Sequence, residues 1–392
     1  MTLSKIVFVL SSRFPTEKAY GVTTRESVLA VLNKKYKVRI FARQSNYMDV
    51  NYEQIKELII PFSENFLIHQ LLKFATLGDG LISKIGWRTG SYLTLNKNLT
   101  TIAAFGPDII WTREIEIVNK LIDKFPKVKI LLEVHTKPNK KKFFKVLKHQ
   151  DQILFCPINE NIDKHLKTFL PSEANIQIAP MSINSSFVNT KSDVENFVEN
   201  LNKDLNRTLQ IGYVGKFSPN GYSKGIEILF DLALKFQSEN LNFRVNLIGG
   251  DKNEVERYLL LKNRLGLTDK YLNLQGHVPY HKVPAILRSM DVLVLPSPAS
   301  SKYSGTPLKL YEYLVSGRIV MLADEEFIKQ SKIGIITKWR FKPNDFEELF
   351  TRINTAIRDP DLASKIDRLI EFASNSTWEK RTTELIQRIE SI

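Results

Sequence analysis

Short apolar runs alternate with amphipathic stretches along almost the whole chain. In the first half the runs are Ile6 to Leu10, Val38 to Phe41, Ile109 to Trp111, Ile130 to Val134 and Ile153 to Cys156. They are brief, rich in Val, Ile and Leu, and lack polar alternation, which predicts strands of a parallel sheet covered on both faces by helices. After Ala179-Pro180-Met181 the pattern lapses into a polar segment, Ser182 to Arg207, read as a connection with room for a short helix. The same grammar restarts at Leu209 to Gly215 and runs through Val245 to Ile248, Leu272 to Leu274, Val292 to Leu295, Val320 to Leu322 and Ile335-Ile336. Helical patterns over Lys224 to Ser238 and Glu254 to Leu265 lie between these strands, and Trp378, Leu385, Ile386 and Ile389 mark an amphipathic helix near the end. Two successive βα series imply two cores.

A length of 392 residues suits two domains, and 43% hydrophobic content with 10% aromatic residues is that of a folded chain. One cysteine, Cys156, excludes an internal disulfide and a multi-cysteine zinc site, and fits a reducing compartment. No stretch reaches the roughly 18 to 20 apolar residues that span a bilayer. The run at Ile6 to Leu10 is too short for a secretory signal and is followed at once by Arg13, Glu17 and Lys18. The formal charge of +14 predicts attraction to something anionic: nucleic acid, lipid headgroups or phosphorylated substrates.

Two segments concentrate chemistry. Gly215-Lys216-Phe217-Ser218-Pro219-Asn220-Gly221-Tyr222-Ser223-Lys224-Gly225 leaves a strand and enters a helix, so two ammonium groups and free backbone N–H groups gather where an anion is favoured. Its spacing is not that of a P-loop, and a solvated surface loop explains the lysines equally well. Ser304-Gly305-Thr306-Pro307-Leu308-Lys309-Leu310-Tyr311-Glu312 also follows a strand. Gly305 and Thr306 offer backbone donors, and Glu312 lies about two turns inward among apolar neighbours. A carboxylate so enclosed is expected to have a partner, such as the two hydroxyls of a ribose.

In order, spacing and residue type, "GYVGKFSPNGYSKGIEIL" and "DVLVLPSPASSKYSGTPLKLYEYLVSGRIVML" resemble the donor-binding half of glycosyltransferase family 4. The opening "KIVFVLSSRFPTEKAYGVTTRESVLAVL" and the closing "SNSTWEKRTTELI" are similar to that family's first strand, loop and helix and its last helix. The resemblance is strong over 209–325 and weak over 50–150. It implies an α/β GT-B fold: two Rossmann-like domains facing across a central cleft, with a C-terminal helix returning to the N-terminal domain. The expected limits are 1–186 for an acceptor-binding domain, 187–207 for a linker, 208–372 for a nucleotide-sugar-binding domain and 373–392 for the terminal helix.

The implied activity is a metal-independent, anomer-retaining transfer of a hexose-type sugar from a UDP- or GDP-linked donor to a glycan or lipid-linked acceptor. The expected setting is bacterial surface polysaccharide or glycolipid synthesis at the cytoplasmic side of the membrane, with no cofactor and no nucleic-acid partner. By the same resemblance, Lys216 and Lys224 neutralise the donor diphosphate and Glu312 binds the nucleotide ribose. Gly305, Thr306 and Leu308 meet the donor phosphate and sugar, Gly215 belongs to the same donor site, and Gly21 approaches the donor from the other lobe. His135 corresponds to a histidine near the sugar; taken alone, it is as readily a structural group at a strand end. Glu133 has the alternative of facing the core as a hydrogen-bonded partner. Ser304 stands where the family usually has a glutamate, which leaves a catalytically silent GT-B-like binding protein as an alternative beside a nucleotide-sugar 2-epimerase.

Asp359-Pro360-Asp361, the sole Asp-x-Asp, reads as a helix cap and not as a metal site. Lys137 to Lys148 interleaves lysines with Phe143, Phe144, Val146 and Leu147, and Phe62 to Leu95 adds further apolar residues. Such segments predict contact with an anionic membrane surface, the competing reading being a packed domain with a solvated lysine face.

Overall fold

The structure is a computed structural model, and it describes residues 5–16, 18–34, 36–47, 50–62, 81–143, 145–204, 207–218, 223–297, 307–329 and 332–392. The chain divides into two compact units: Met1–Pro180 with Trp378–Ile392, and Met181–Thr377.

The first unit holds strands β1 (Lys5–Arg13), β2 (Lys37–Arg43), β3 (Ile59–Pro61), β4 (Ile109–Thr112), β5 (Lys129–Val134) and β6 (Ile153–Pro157). They form one sheet in the order β3-β2-β1-β4-β5-β6, parallel at every pairing. The second unit holds β7 (Leu209–Val214), β8 (Phe243–Gly250), β9 (Leu272–Gly276), β10 (Val292–Leu295), β11 (Ile319–Ala323) and β12 (Arg340–Phe341). Its order is β12-β11-β10-β7-β8-β9, again parallel throughout. Read from the first strand of each unit, the two orders are the same doubly wound arrangement. Near-continuous burial along β1, β10 and β11 follows from helices on both faces. Each sheet reverses its winding between its first and fourth strands, β1/β4 and β7/β10, and a crevice opens outside the carboxyl ends of strands at such a point.

The Trp378–Glu390 helix packs on the Ala19–Leu32 helix, and its Leu385, Ile386 and Ile389 enter the core around β1. Tyr36 Oη donates to Glu390 at 2.7 Å, and Lys129 Nζ donates to the Glu390 carbonyl at 2.9 Å. The expected 373–392 element therefore starts later than read, at Trp378, because Leu362–Ser374 forms a separate helix in the second unit.

The 187–207 segment is less of a linker than its polarity suggests. Lys191–Lys203 is a helix started by a reciprocal cap between Thr190 and Asp193. Its Val194, Phe197 and Leu201 are buried, and it packs against the Leu362–Ser374 helix. The division of the chain falls between 180 and 181, a few residues before the expected 186.

Ile335-Ile336 is not a strand. Lys332–Ile336 is a short helix that buries Ile333 and leaves Ile335 81% exposed; the edge strand is Arg340–Phe341, whose Phe341 is buried. Two adjacent β-branched residues have a strand's composition, but here only one face of a turn has a core to meet.

Candidate active site

In the second unit the carboxyl end of β7 leads into the lysine loop. Gly215 has φ +142°, a conformation L-residues rarely adopt, and a Cβ there would collide with the end of the Lys309 side chain. Beyond it the loop is tied down from three directions. Phe217 is fully buried, with an edge contact to Tyr258 at 5.5 Å between ring centroids. Ser218 Oγ donates to Glu254 Oε1 at 3.0 Å, and the Lys224 N–H donates to the Phe217 carbonyl at 3.1 Å. This last bond returns Lys224 to the part of the loop that carries Lys216. Burial pushes the Lys224 ammonium below its ordinary range, with Glu325 opposing.

The Leu308–Leu314 helix follows β10 and faces the same strand end. Tyr313 is buried; its hydroxyl accepts from Val214 N–H at 2.7 Å and donates to the Val214 carbonyl at 3.1 Å, clamping the last residue of β7. Glu312 is 7% exposed and accepts from Tyr280 Oη at 2.8 Å. The charge is thus buried with a neutral donor on one oxygen. Lys309, on the same helix, reaches back over Gly215. Leu308 puts its side chain into the core.

In the first unit a charged network crosses the ends of β4 and β5. Glu133, 5% exposed, accepts from Trp111 Nε1 at 3.0 Å, from Arg381 at 2.9 Å and, on its other oxygen, from His135 Nε2 at 2.7 Å. Burial alone would raise this carboxyl, yet Arg381, His135 and Arg113 together hold it well below the usual carboxylate range. His135 Nδ1 meets Arg113 Nη2 at 2.7 Å, and Arg113 Nε approaches the Glu133-facing Nε2 at 3.0 Å. Arg113 Nε then leans on Glu133 at 3.8 Å. Burial and the Arg113 charge push His135 down to about 4, so it is neutral at pH 7 with both nitrogens engaged. Arg113 also donates to Thr23 Oγ1 at 2.8 Å, linking the network to the Ala19–Leu32 helix. Gly21 lies in the first turn of that helix, where a Cβ would sit 2.5 Å from the Thr16 carbonyl oxygen and 2.9 Å from Tyr52 Oη.

Lys216, Lys224, Gly215, Leu308 and Glu312 therefore gather at the end of β7, whereas Gly21 and His135 belong to the other unit. Ser304, Gly305 and Thr306 lie outside the described residues. Sequence reasoning missed Lys309, Tyr313, Arg113 and Arg381. A signal existed for two of them, since Lys309 and Tyr313 flank Glu312 on one helix; Arg113 and Arg381 become visible only once β4, β5 and the final helix are assembled.

Asp361 stands at the N-cap of the Leu362–Ser374 helix but makes no side-chain cap; instead Asp359 accepts from the Asp361 N–H at 3.0 Å and pairs with Lys365. No group of three His, Cys, Asp or Glu side chains able to hold a metal occurs among the described residues. No helix among them is long and apolar enough to cross a membrane.

The lysine-rich segment differs from its expectation. Phe143 and Val146 are buried in the core, Phe143 against Phe155 and Phe169, so they cannot enter a lipid interface. Lys142 and Lys145 pair with Glu116 and Asp123. Phe143 and Val146 serve the fold, while Lys140, Lys141 and Lys148 are exposed. Phe144 and residues 63–80 lie outside the described residues, and of the side chains at 81–88 nothing is described.

Residues 208–359 match the family model for group 1 glycosyl transferases. No curated protein matches the sequence at a significant level. Solved structures match the whole chain at low identity. Sucrose-phosphate synthase from Thermosynechococcus elongatus is 15% identical with a TM-score of 0.72, covering 99% of this chain and 98% of its own. HepE from Anabaena, solved with UDP, is 12% identical with a TM-score of 0.68 over 99% and 100%. WaaG, a glycosyltransferase involved in lipopolysaccharide biosynthesis, is 13% identical with a TM-score of 0.64 over 98% and 99%. At these identities the likeness establishes the fold, which is the expected GT-B class.

Proposed function

We propose that this chain is a retaining glycosyltransferase of the group 1 type, moving a hexose-type sugar from a UDP- or GDP-linked donor to a glycan or lipid-linked acceptor. The observation that carries the reading is the convergence of the Gly215–Lys224 loop and the buried Glu312 on one strand end, at the sheet's switch point. Lys216 and Lys224 would stabilise charge developing on the departing diphosphate, and Glu312 would accept the ribose hydroxyls in place of the Tyr280 hydroxyl. The family match over 208–359 and the UDP complex of HepE support the donor class. His135, neutral and held from both sides, acts as a fixed group and not as a proton carrier. The resemblance implies a transfer without a divalent metal, so turnover should survive EDTA. The setting that fits is the cytoplasmic face of a membrane where polysaccharide or glycolipid is built.

A panel of UDP, GDP and their sugars tested by thermal shift is the direct experiment, because a ligand of the native state raises its stability by mass action. One nucleotide series should stabilise the protein, and Glu312→Ala should weaken that binding by about 1.5–3 kcal/mol, the scale of a hydrogen bond to a charged group. No stabilisation by any member would end the reading. Ser304, in the place of the usual glutamate, favours the silent-binder alternative; binding of a donor sugar with neither transfer nor hydrolysis would decide for it.

A further inference from the structure

Lys309 is a third cation at the end of β7 that the resemblance does not assign. Its Nζ donates to Tyr213 Oη at 2.6 Å and stands over that ring, 4.1 Å from the centroid. Tyr213 Oη in turn donates to the Lys216 carbonyl at 2.7 Å, so the ammonium is coupled to the backbone that carries the first loop lysine. It also occupies the space a side chain at Gly215 would take. Lys309 keeps part of its surface open to solvent, and no carboxylate ion-pairs with it among the described residues.

The groups facing it from each neighbouring element are Tyr213 on β7, Lys224 from the loop, Glu254 from the Lys252–Arg264 helix, and Glu312 on its own helix. Burial and the Lys224 charge bring Lys309 down to about 7, with Glu312 and Glu254 opposing from a distance. A lysine that merely braced a loop would be served by a carboxylate partner. This one sits beside a second cation, with a neutral phenol and its ring as support. That arrangement is unfavourable until an anion joins it.

We propose that Lys309 is a further binding residue for the donor diphosphate. The inference rests on the reading of this crevice as a nucleoside diphosphate site. Because the anion favours the ammonium form, binding above pH 7 takes up a proton, and affinity falls as pH rises. The last ionisation of a phosphate, near pH 6, lies below that window.

Calorimetric titration of UDP and GDP at about pH 8, in two buffers of different ionisation enthalpy, measures the uptake. The wild type should take up a fraction of a proton. Lys309→Arg, which keeps the charge but cannot titrate, should bind within a few-fold of wild type with that uptake lost. Lys309→Met should bind the diphosphate about 10- to 100-fold more weakly, with affinity for the bare nucleoside unchanged. Unchanged uptake in Lys309→Arg, as would occur if Lys224 were its source, overturns the proposal, as does undiminished affinity in Lys309→Met. A wild type that binds neither nucleotide overturns the reading of the crevice itself.

Discussion

Glu133 illustrates how a single side chain couples a site to stability. Its charge is buried, and what makes that tolerable is the guanidinium of Arg381, supplied from the far end of the sequence. Removing one partner of a buried pair leaves the other uncompensated, so Arg381→Met should destabilise the first unit by about 3–5 kcal/mol. Chemical denaturation checks this, and Glu133→Gln added to Arg381→Met should recover much of the loss. His135 gives a pH prediction. Folding lowers it to about 4 from the ordinary value near 6.5, so between these limits the unfolded chain binds more protons. Stability is therefore lost as pH falls through that window, and His135→Gln should lose less than wild type between about pH 7 and 4.5. Equal losses in both proteins would show that His135 does not carry the slope. Lys216, Lys224 and Glu312 could be picked out in the sequence because each sits in a short motif after a strand-like run. Arg113 and Arg381 could not, since their meaning comes from partners 22 and 248 positions away.

At the scale of elements, the central strands were legible because unbroken apolar runs need burial on both faces, and ten of the twelve strands among the described residues coincide with such runs. The two that were missed, Ile59–Pro61 and Arg340–Phe341, are the outermost strands of their sheets and only three and two residues long. Short edges expose few backbone groups to unwanted pairing, and for the same reason they carry almost no pattern. The segment from Lys137 to Lys148 shows another side of pattern reading: two of its apolar residues, Phe143 and Val146, owe their place to the core. With Phe143 and Val146 packed inside, the exposed Lys140, Lys141 and Lys148 are the residues through which the segment would attach to anionic vesicles. Co-sedimentation should fade with added salt and be lost when these three become Glu, because each lysine near such a surface is worth about 1 kcal/mol. Phe143→Ala should instead cost about 3–5 kcal/mol of stability with no specific loss of binding. A protein that stays in the supernatant at low salt removes the membrane from the picture.

For the molecule as a whole, the decisive feature is that one unit is continuous and the other is not. Residues 181–377 carry a complete sheet and the helices that cover it, whereas residues 1–180 lack the Trp378–Glu390 helix that shares their core. A fragment spanning 181–377 should unfold cooperatively on its own. A fragment spanning 1–180 should show an exposed apolar face, reported by dye binding, until a peptide of residues 378–392 is added. Cooperative unfolding of 1–180 without the peptide would contradict this.

On a translating ribosome the same discontinuity imposes an order. The stretch that emerges first cannot finish first: Glu133 waits without Arg381, and the groove on the Ala19–Leu32 helix waits without Leu385, Ile386 and Ile389, while the entire second unit is made. Nearly two hundred later residues can reach their native sheet in that interval. The half-made first unit is then the form that chaperones and proteases meet, and residues 378–392 end its exposure.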